Sequence, residues 1–396
     1  MMEANKSCIL TINGGSSSIK FALYNIEEEL VLLLYGQIEN IGTKNTKLSF
    51  NNTITNQEEH INVEQAGQEL IASLLIDWLE KQDGFGSVKA IGHRIVHGMK
   101  HTEPKQITPS LLEEFRVISA YDPEHMPGAV KLIEAFRIRY PALAQIACFD
   151  TSFHAAMPPV AKLLPIPRRF SAKGVQRYGF HGLSYAWLME ELNRIAGRET
   201  AQGRIILAHL GNGASLAAVK NGQSLDTTMG YTPASGLPMG TRSGDLDPGV
   251  AWYFMQQEQL SPEQFSHLIN HESGLLGISE ISSDMRELMK YESTDHRAAE
   301  AIELFCYQTK KWIGAYAAVL GGLDTLVFSG GIGEQAPEIR GRICRDLQFL
   351  GIELEETNNV KNEAIISTDK SKVCVRVMET NEELMIARLV LNLVGF

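Results

Sequence analysis

The segment ILTINGGSSSI at residues 9–19 returns half a chain later as ILAHLGNGASL at residues 206–216. Ile9 falls on Ile206, Leu10 on Leu207, Gly14 on Gly211, Ser18 on Ser215 and Ile19 on Leu216. Strand, glycine turn and following strand align together, which predicts two domains of like fold, each presenting a hairpin with a glycine tip. The alternative is a chance likeness of two glycine-rich turns. A plain hairpin needs only two turn residues. Here Gly14 and Gly15 permit close approach of the backbone to a ligand, and Ser16, Ser17 and Ser18 set hydroxyls beside the amides. A surface turn with no ligand is the plainer reading of that stretch.

A chain of 396 residues is long enough for two domains with separate cores. Its net charge is −11, and its 36 basic residues are scattered, so no footprint for nucleic acid is visible and an anionic ligand needs a local basic site. The N-terminal MMEANKSCILTIN lacks the pattern of a signal peptide and no run is long enough to span a membrane, so a cytoplasmic protein is expected. Cys8, Cys148, Cys306, Cys344 and Cys374 are widely spaced with no CxxC pair, which disfavours disulfides and zinc and predicts buried small hydrophobes. Strand-like SCILTIN, IKFALYN and LVLLLYGQI come first. Helical periods in VEQAGQELIASLLIDWLEKQ and PGAVKLIEAFRIRY then alternate with strands in VKAIGHRIV and AQIACFD, the pattern of an α/β domain.

Three glycine turns stand out: NGGSSS, GNGAS and SGGIGE. None matches the Walker or dinucleotide spacings. Backbone amides in such turns form concave anion sites, and a strand–GGIGE–helix segment suits a flat base or ribose, so together they fit a polyphosphate ligand. The glycine- and proline-rich stretch 228–249 reads as a long functional loop. Arg94, at a strand end in AIGHRIVHG, and Arg242, in GTRSGD, are placed where little carboxylate competes for them, which makes a planar anion their expected partner. His181 stands between Gly179 and Gly182 at an expected helix entry, and no histidine spacing supports a metal site. Asp150 ends the strand AQIACFD, where ligand sites of α/β folds gather; a turn aspartate is the alternative. Near the C-terminus Thr380 and Glu383 fit a capping box, leaving Glu382 as a dipole-stabilised surface residue or as a partner of a hard cation such as Mg²⁺.

The ordered series NGGSSSIKF, GHRIVHG, FDTSFHAAMP, RYGFHGLSY, AHLGNGAS, GYTPASGLPMGTRSGDLDPG, SGLLGIS, SDMREL, FSGGIGE and TNEELMIA resembles that of the acetate and propionate kinase family. The resemblance runs from about residue 8 to residue 388. It implies an α/β fold of two duplicated actin-like ATPase-type (ribonuclease H-like) domains with a cleft between them. The implied domains are residues 1–152 with 381–396 on the acyl-acceptor side, and 153–380 for the nucleotide.

The activity implied is reversible transfer of the γ-phosphoryl group of ATP to acetate, giving acetyl phosphate and ADP, with Mg²⁺ or Mn²⁺. Propionate or another short-chain acid is the near alternative, and an ATP-driven binding protein of the same superfold the distant one. By the same resemblance Arg94 and Arg242 hold the acid carboxylate and the transferring phosphoryl group, and His181 hydrogen-bonds that group in transit. Asn13 and Glu382 organise the metal, Asp150 positions it or its waters, and Val96, Phe180 and Pro233 line the acyl pocket. Nucleotide contacts fall to Ser16, Ser18 and Lys20 on the first hairpin, His209, Gly211, Asn212 and Gly213 on the second, Asp284 and Arg286 in SDMREL, and Gly330, Gly331, Ile332, Gly333 and Glu334 in SGGIGE. A homodimer without nucleic-acid or membrane partners is also implied. Carboxylate and polyphosphate repel: two unit charges ~4 Å apart in a partly screened site cost roughly 4 kcal/mol, so cationic residues are indispensable. Direct transfer needs no covalent intermediate, although a phospho-enzyme route through a carboxylate is chemically open. One departure concerns the acid. The family surrounds the histidine equivalent to His125 with a PLHNP-like sequence, whereas this chain reads DPEHMPG and sets Glu124 and Met126 there.

Overall fold

The computed structural model describes residues 7–15, 18–63, 68–119, 121–122 and 124–395. Contacts divide the chain into two compact units, Met1–Ser152 with Asn381–Phe396, and Phe153–Thr380. The first unit is built on strands β1 (Cys8–Gly14), β2 (Ile19–Ile26), β3 (Leu30–Glu39), β4 (Lys47–Asn52), β5 (Gln57–Asn62), β6 (Val88–Ile95), β7 (Lys105–Gln106) and β8 (Ala144–Phe149), in the sheet order β5-β4-β3-β2-β1-β6-β8-β7. In the second, β9 (Arg204–Leu210), β10 (Ala214–Lys220), β11 (Gln223–Thr227), β12 (Thr325–Ser329) and β13 (Cys374–Val377) follow the order β11-β10-β9-β12-β13.

Five neighbouring strands repeat one plan in both sheets. β3-β2-β1 and β11-β10-β9 are antiparallel, while β1-β6-β8 and β9-β12-β13 are parallel. The duplication expected from the repeated segment is therefore a duplication of topology, with β1–β2 and β9–β10 as the equivalent hairpins.

The central strands are buried along most of their length, as strands covered on both faces must be. Every residue of β1 is buried, and Cys8, Leu10 and Ile12 share a core with Leu75 of the helix Gln68–Leu79 and with Leu132 and Phe136 of the helix Met126–Arg139. The C-terminal helix Glu382–Val394 also packs on β1 and β6. Gly92 is required there, because a methyl group on it would lie 2.4 Å from Cγ2 of Ile386.

Two expectations need correction. Thr380 and Glu383 do not form a capping box: the helix starts one residue later, with Asn381 accepting from the Leu384 amide. The Thr380 hydroxyl instead meets Ser184, and the Glu383 carboxylate takes a bond from Asn13. Four of the cysteines are buried, but Cys374 on the edge strand β13 is only partly so.

His154 fixes the approach to the next functional residues. It is 1 % exposed, its Nδ1 lies 2.8 Å from Ser224 Oγ, and its Nε2 donates to the carbonyl of Phe180 at 3.0 Å. Burial pushes its pKa down to about 4, against the raising effect of the Phe180 carbonyl. An unfolded histidine takes its proton near pH 6.5, so this residue adds stability that is complete above that pH and drains away as the pH falls towards 4. Its share of the unfolding free energy should drop by about 2 kcal/mol between pH 7 and pH 5. Chemical denaturation at both pH values should show a smaller drop in His154→Gln; equal drops in variant and wild type would contradict this.

Candidate active site

In the first unit the carboxyl ends of three neighbouring strands gather a charged cluster. Arg94 on β6 and Asp150 just beyond β8 come together because these strands are parallel, with Arg94 paired to Cys148. Arg94 donates through Nε (2.9 Å) and Nη2 (2.5 Å) to Oδ2 of Asp150, and through Nη1 to Oδ1 of Asn13 at 3.1 Å. The Asn13 amide then donates to Glu382 Oε2 at 2.9 Å and to Glu383 Oε1 at 3.1 Å. The amide oxygen thus faces the cation and its nitrogen the carboxylates. Burial alone would weaken Arg94 as a base, but the charges of Asp150, Glu382 and Glu383 outweigh it and hold the guanidinium pKa above its ordinary value. The Asp150 side chain is fully buried and that of Arg94 is 16 % exposed. The expectation that Arg94 has little competing carboxylate is therefore wrong: Asp150 comes from a different strand, which local sequence does not reveal. Lys20, across the hairpin from Asn13, is exposed. Ser18 closes the first glycine turn by accepting the Gly15 amide at 2.7 Å, whereas Ser16 and Ser17 lie outside the described residues. Val96 is buried beside this cluster in sequence.

His125 is the residue before the helix Met126–Arg139, and its Nδ1 lies 2.9 Å from Oδ1 of the buried Asp122. Met126 is fully buried and shares a core with Ile95, Ile133 and Phe149, so it is spent on packing; Glu124 is half-buried.

In the second unit the turn joining β9 to β10 is the meeting point. A methyl group on Gly213 would lie 3.3 Å from Nη2 of Arg242 and 3.3 Å from Nε2 of His181. One on Gly211 would lie 3.9 Å from the amide nitrogen of Gly331, and one on Gly240 would strike Oδ1 of Asn212 at 2.1 Å. One glycine turn therefore touches the Arg242 loop, the His181 helix entry and the SGGIGE segment. Arg242 Nη1 donates to the carbonyl of Pro233 at 2.8 Å. The loop is pinned at its start by Arg177, whose Nη1 reaches the carbonyls of Thr227, Thr228 and Met229, and within by Asp245, which accepts the Gly236 amide.

His181 adopts a left-handed conformation (φ 59°) before the helix Gly182–Ala201, a strained position that aims its ring at β10. Its Nδ1 lies 2.8 Å from Ser215 Oγ and its ring centre 4.4 Å from that of His209. Phe180 and Pro233 are buried.

β12 runs into the helix Gly330–Gln335. Gly330 has φ 76° and no room for a side chain, since a methyl group would lie 2.7 Å from the Leu210 carbonyl. Gly331 is exposed, and Ile332 is partly so. Glu334 turns back and accepts from the Gly330 amide at 2.7 Å, so its carboxylate braces this helix. Asp284 and Arg286 bind each other at 2.6 Å at the start of the helix Met285–Tyr291. A separate cavity of about 540 Å³ is lined by Gly236, Ser243, Asp245 and Phe254 among others and by none of the expected site residues. Among the described residues no group of three or more histidine, cysteine, aspartate or glutamate side chains is arranged to hold a metal ion.

The profile of the acetokinase family matches residues 8–388. The chain belongs to that family. It is 42 % identical over 391 residues to an acetate kinase of Rhodopseudomonas palustris, covering 97 % of this chain and 98 % of that one. Among solved structures, a propionate kinase from Francisella tularensis matches with a TM-score of 0.90 at 37 % identity, covering 97 % of this chain and 98 % of the other. The Porphyromonas gingivalis acetate kinase matches with a TM-score of 0.86 at 36 % identity, covering 98 % and 100 %. The architecture is accordingly the two-domain, actin-like ATPase fold of these kinases.

Within this acetokinase-family chain, sequence reading missed the groups that brace the site. Arg340 is fully buried and uses all its donors: Nε on Asn359 Oδ1, Nη1 on the carbonyls of Gly333 and Glu334, Nη2 on the Asn359 carbonyl and Asn362 Oδ1. It ties the end of the glycine-rich helix to the helix Glu356–Val360. Burial pulls its pKa down to about 10, which still leaves it charged at neutral pH. Local sequence offers no signal for it, because the helix Pro337–Cys344 also carries Glu338 and Arg342 and reads as a charged surface helix. Arg340→Met strands buried carbonyls and should destabilise the protein by about 3–5 kcal/mol in guanidinium unfolding. A change within about 0.5 kcal/mol, the usual size for a surface substitution, would refute the bracing role.

Proposed function

We propose that the chain catalyses reversible transfer of the γ-phosphoryl group of ATP to acetate, forming acetyl phosphate and ADP by direct in-line transfer. Family membership makes it an acetate kinase, a phosphotransferase with a carboxyl acceptor. The observation that carries the assignment of residues is the convergence of Arg242 and His181 on Gly213. A guanidinium group, an imidazole nitrogen and a side-chain-free backbone turn at one point suit the terminal phosphoryl group of a nucleotide triphosphate.

In this reading Gly211, Asn212 and Gly213 take the phosphates, and Gly330 to Gly333 take the adenosine. Arg242 neutralises equatorial oxygens as the phosphoryl group passes, and His181 donates a hydrogen bond to it. Arg94 holds the carboxylate of the acid. The Pro233 carbonyl holds one edge of Arg242 in place, which saves ordering cost at the moment of reaction. Glu382, with Asn13 beside it, would hold Mg²⁺, and Asp150, whose Oδ2 is taken by Arg94, would position the metal or its waters; bound there, the ion would neutralise charge on the phosphates. Asp150 is buried and committed to Arg94, which makes it a poor nucleophile and favours direct transfer over a phospho-enzyme. Residues 1–152 with 381–396 serve the acid and 153–380 the nucleotide. We assign the protein to the cytoplasm as a homodimer, following the family; no helix among the described residues is long and apolar enough to cross a membrane.

Acetate, ATP and hydroxylamine should yield acetyl hydroxamate; ATP hydrolysis without hydroxamate would instead mark an ATP-driven binding protein. Arg242→Ala should lower turnover by on the order of 10³ or more while the fold persists, as loss of a transition-state arginine does. Near-normal turnover would remove Arg242 from the mechanism.

A second reading, propionate as the preferred acid, draws on the likeness to the Francisella tularensis enzyme and on the Glu124 and Met126 departures. One methylene in an apolar pocket is worth only ~1–3 kcal/mol, so the preference is read from kcat/KM for acetate and propionate in wild type and Glu124→Leu. A pocket shaped by Glu124 predicts a changed acetate-to-propionate ratio in the variant; an unchanged ratio would place Glu124 outside it.

A further inference from the structure

We propose that Ser215, backed by Tyr185, is a positioning residue that holds His181 as the neutral imidazole carrying its proton on Nε2. The ring then meets the transferring phosphoryl group as a hydrogen-bond donor. This rests on the role given to His181 above and adds the groups that set its protonation.

Two buried hydroxyls and the partly buried ring of His181 form one hydrogen-bonded chain, whose protons can be counted. Tyr185 Oη lies 2.5 Å from Ser215 Oγ, and Ser215 Oγ lies 2.8 Å from His181 Nδ1. Tyr185 and Ser215 are both 0 % exposed. The Tyr185 hydroxyl also meets the backbone amide of His209, which as an N–H can only donate to it, and among the described residues the side-chain bonds of Ser215 Oγ go to Tyr185 and His181. With water excluded, each hydroxyl proton must find its acceptor inside this chain. One polarity satisfies both: Tyr185 donates to Ser215, and Ser215 donates to Nδ1 of His181. Nδ1 is then an acceptor, so the neutral ring carries its proton on Nε2, the nitrogen beside Gly213.

The opposite polarity has His181 donate from Nδ1 to Ser215, whose own proton turns to Tyr185. The Tyr185 proton is then left in the core without an acceptor. An imidazolium ion imposes the same loss, since its Nδ1 must donate. Leaving a buried donor unmade is the costly side of hydrogen bonding.

The surroundings of the ring act in the same direction. From the helix Gly182–Ala201 it meets Tyr185, whose phenol burial pushes well towards the neutral form. β9 contributes the ring of His209, whose Nδ1 is engaged by Ser184 Oγ at 2.9 Å, and β10 contributes Ser215. The loop brings the Arg242 guanidinium to the same side of Gly213 as Nε2. A second positive charge on His181 would be repelled there, whereas a neutral Nε2–H adds a donor without that repulsion.

Protein labelled with ¹⁵N-histidine tests this directly. Two-bond ¹H–¹⁵N spectra distinguish the two neutral tautomers from the cation, and the His181 signals are assigned by their loss in His181→Gln. From pH 6 to pH 8 the wild type should show His181 neutral with its proton on Nε2. Ser215→Ala should give a mixture of tautomers, and kcat should fall about tenfold with KM for ATP changed less than about twofold, the pattern of a weakened transition-state donor. A wild-type Nδ1–H tautomer or a cation across that range would overturn the proposal. So would an unaltered Nε2–H tautomer, or an unchanged kcat, in Ser215→Ala. The spectra read the ring whether or not hydroxamate is formed, so failure here is separable from failure of the kinase assignment.

Discussion

Absence of a side chain at Gly213 is the constraint on which the geometry of the second unit's glycine turn rests. A methyl group there would crowd both Arg242 and His181 at 3.3 Å, tighter than nine in ten real contacts of that kind, and would push both side chains away by a few tenths of an ångström. The same economy recurs at Gly240, where the loop backbone lies against Asn212, and at Gly330, where the glycine-rich helix presses on the end of β9. Two segments reach the turn region backbone to backbone, through the Gly240 amide on the Asn212 carbonyl and through Gly330 against Leu210, and a third reaches it through the His181 ring. Positive charge is brought in by the Arg242 guanidinium aimed from outside the turn, so an acidic protein gathers a local cation without a basic surface.

The first unit solves a different electrostatic problem. Arg94 is held by a buried aspartate and an asparagine, and that asparagine is itself held by two glutamates. A buried ion pair adds little net stability, because desolvation offsets much of the attraction. It does fix direction. With Nε and Nη2 committed to Asp150 and the Asn13 amide locked in one sense, the guanidinium has little freedom to lose on meeting an anion, which favours binding through preorganisation.

Much of this was legible in the sequence, and the pattern of what was not is physical. The repeat at residues 9–19 and 206–216 announced a duplicated topology because hairpin residues are local: apolar strands and glycine turns carry their own signal. The strand-to-helix passage through SGGIGE was legible for the same reason. Partnerships between distant segments were not. Asp150 opposite Arg94, Ser215 behind His181 and Arg340 beneath Gly333 each depend on strand register or helix packing that no short window contains. The capping assignment failed by one residue, since both Thr380 and Asn381 are acceptable caps and tertiary contacts at Ser184 and Asn13 decided between them.

The helix Glu382–Val394 lies on β1 and β6, so the last helix of the chain covers strands made near its beginning. Ile386 and Val390 cover the face of the sheet at Gly92, almost three hundred residues away in sequence. Residues 153–380, by contrast, form an uninterrupted stretch. The first unit is therefore closed by contacts of very high sequence separation, which carry the larger loop-closure cost, whereas the second is closed within one continuous segment.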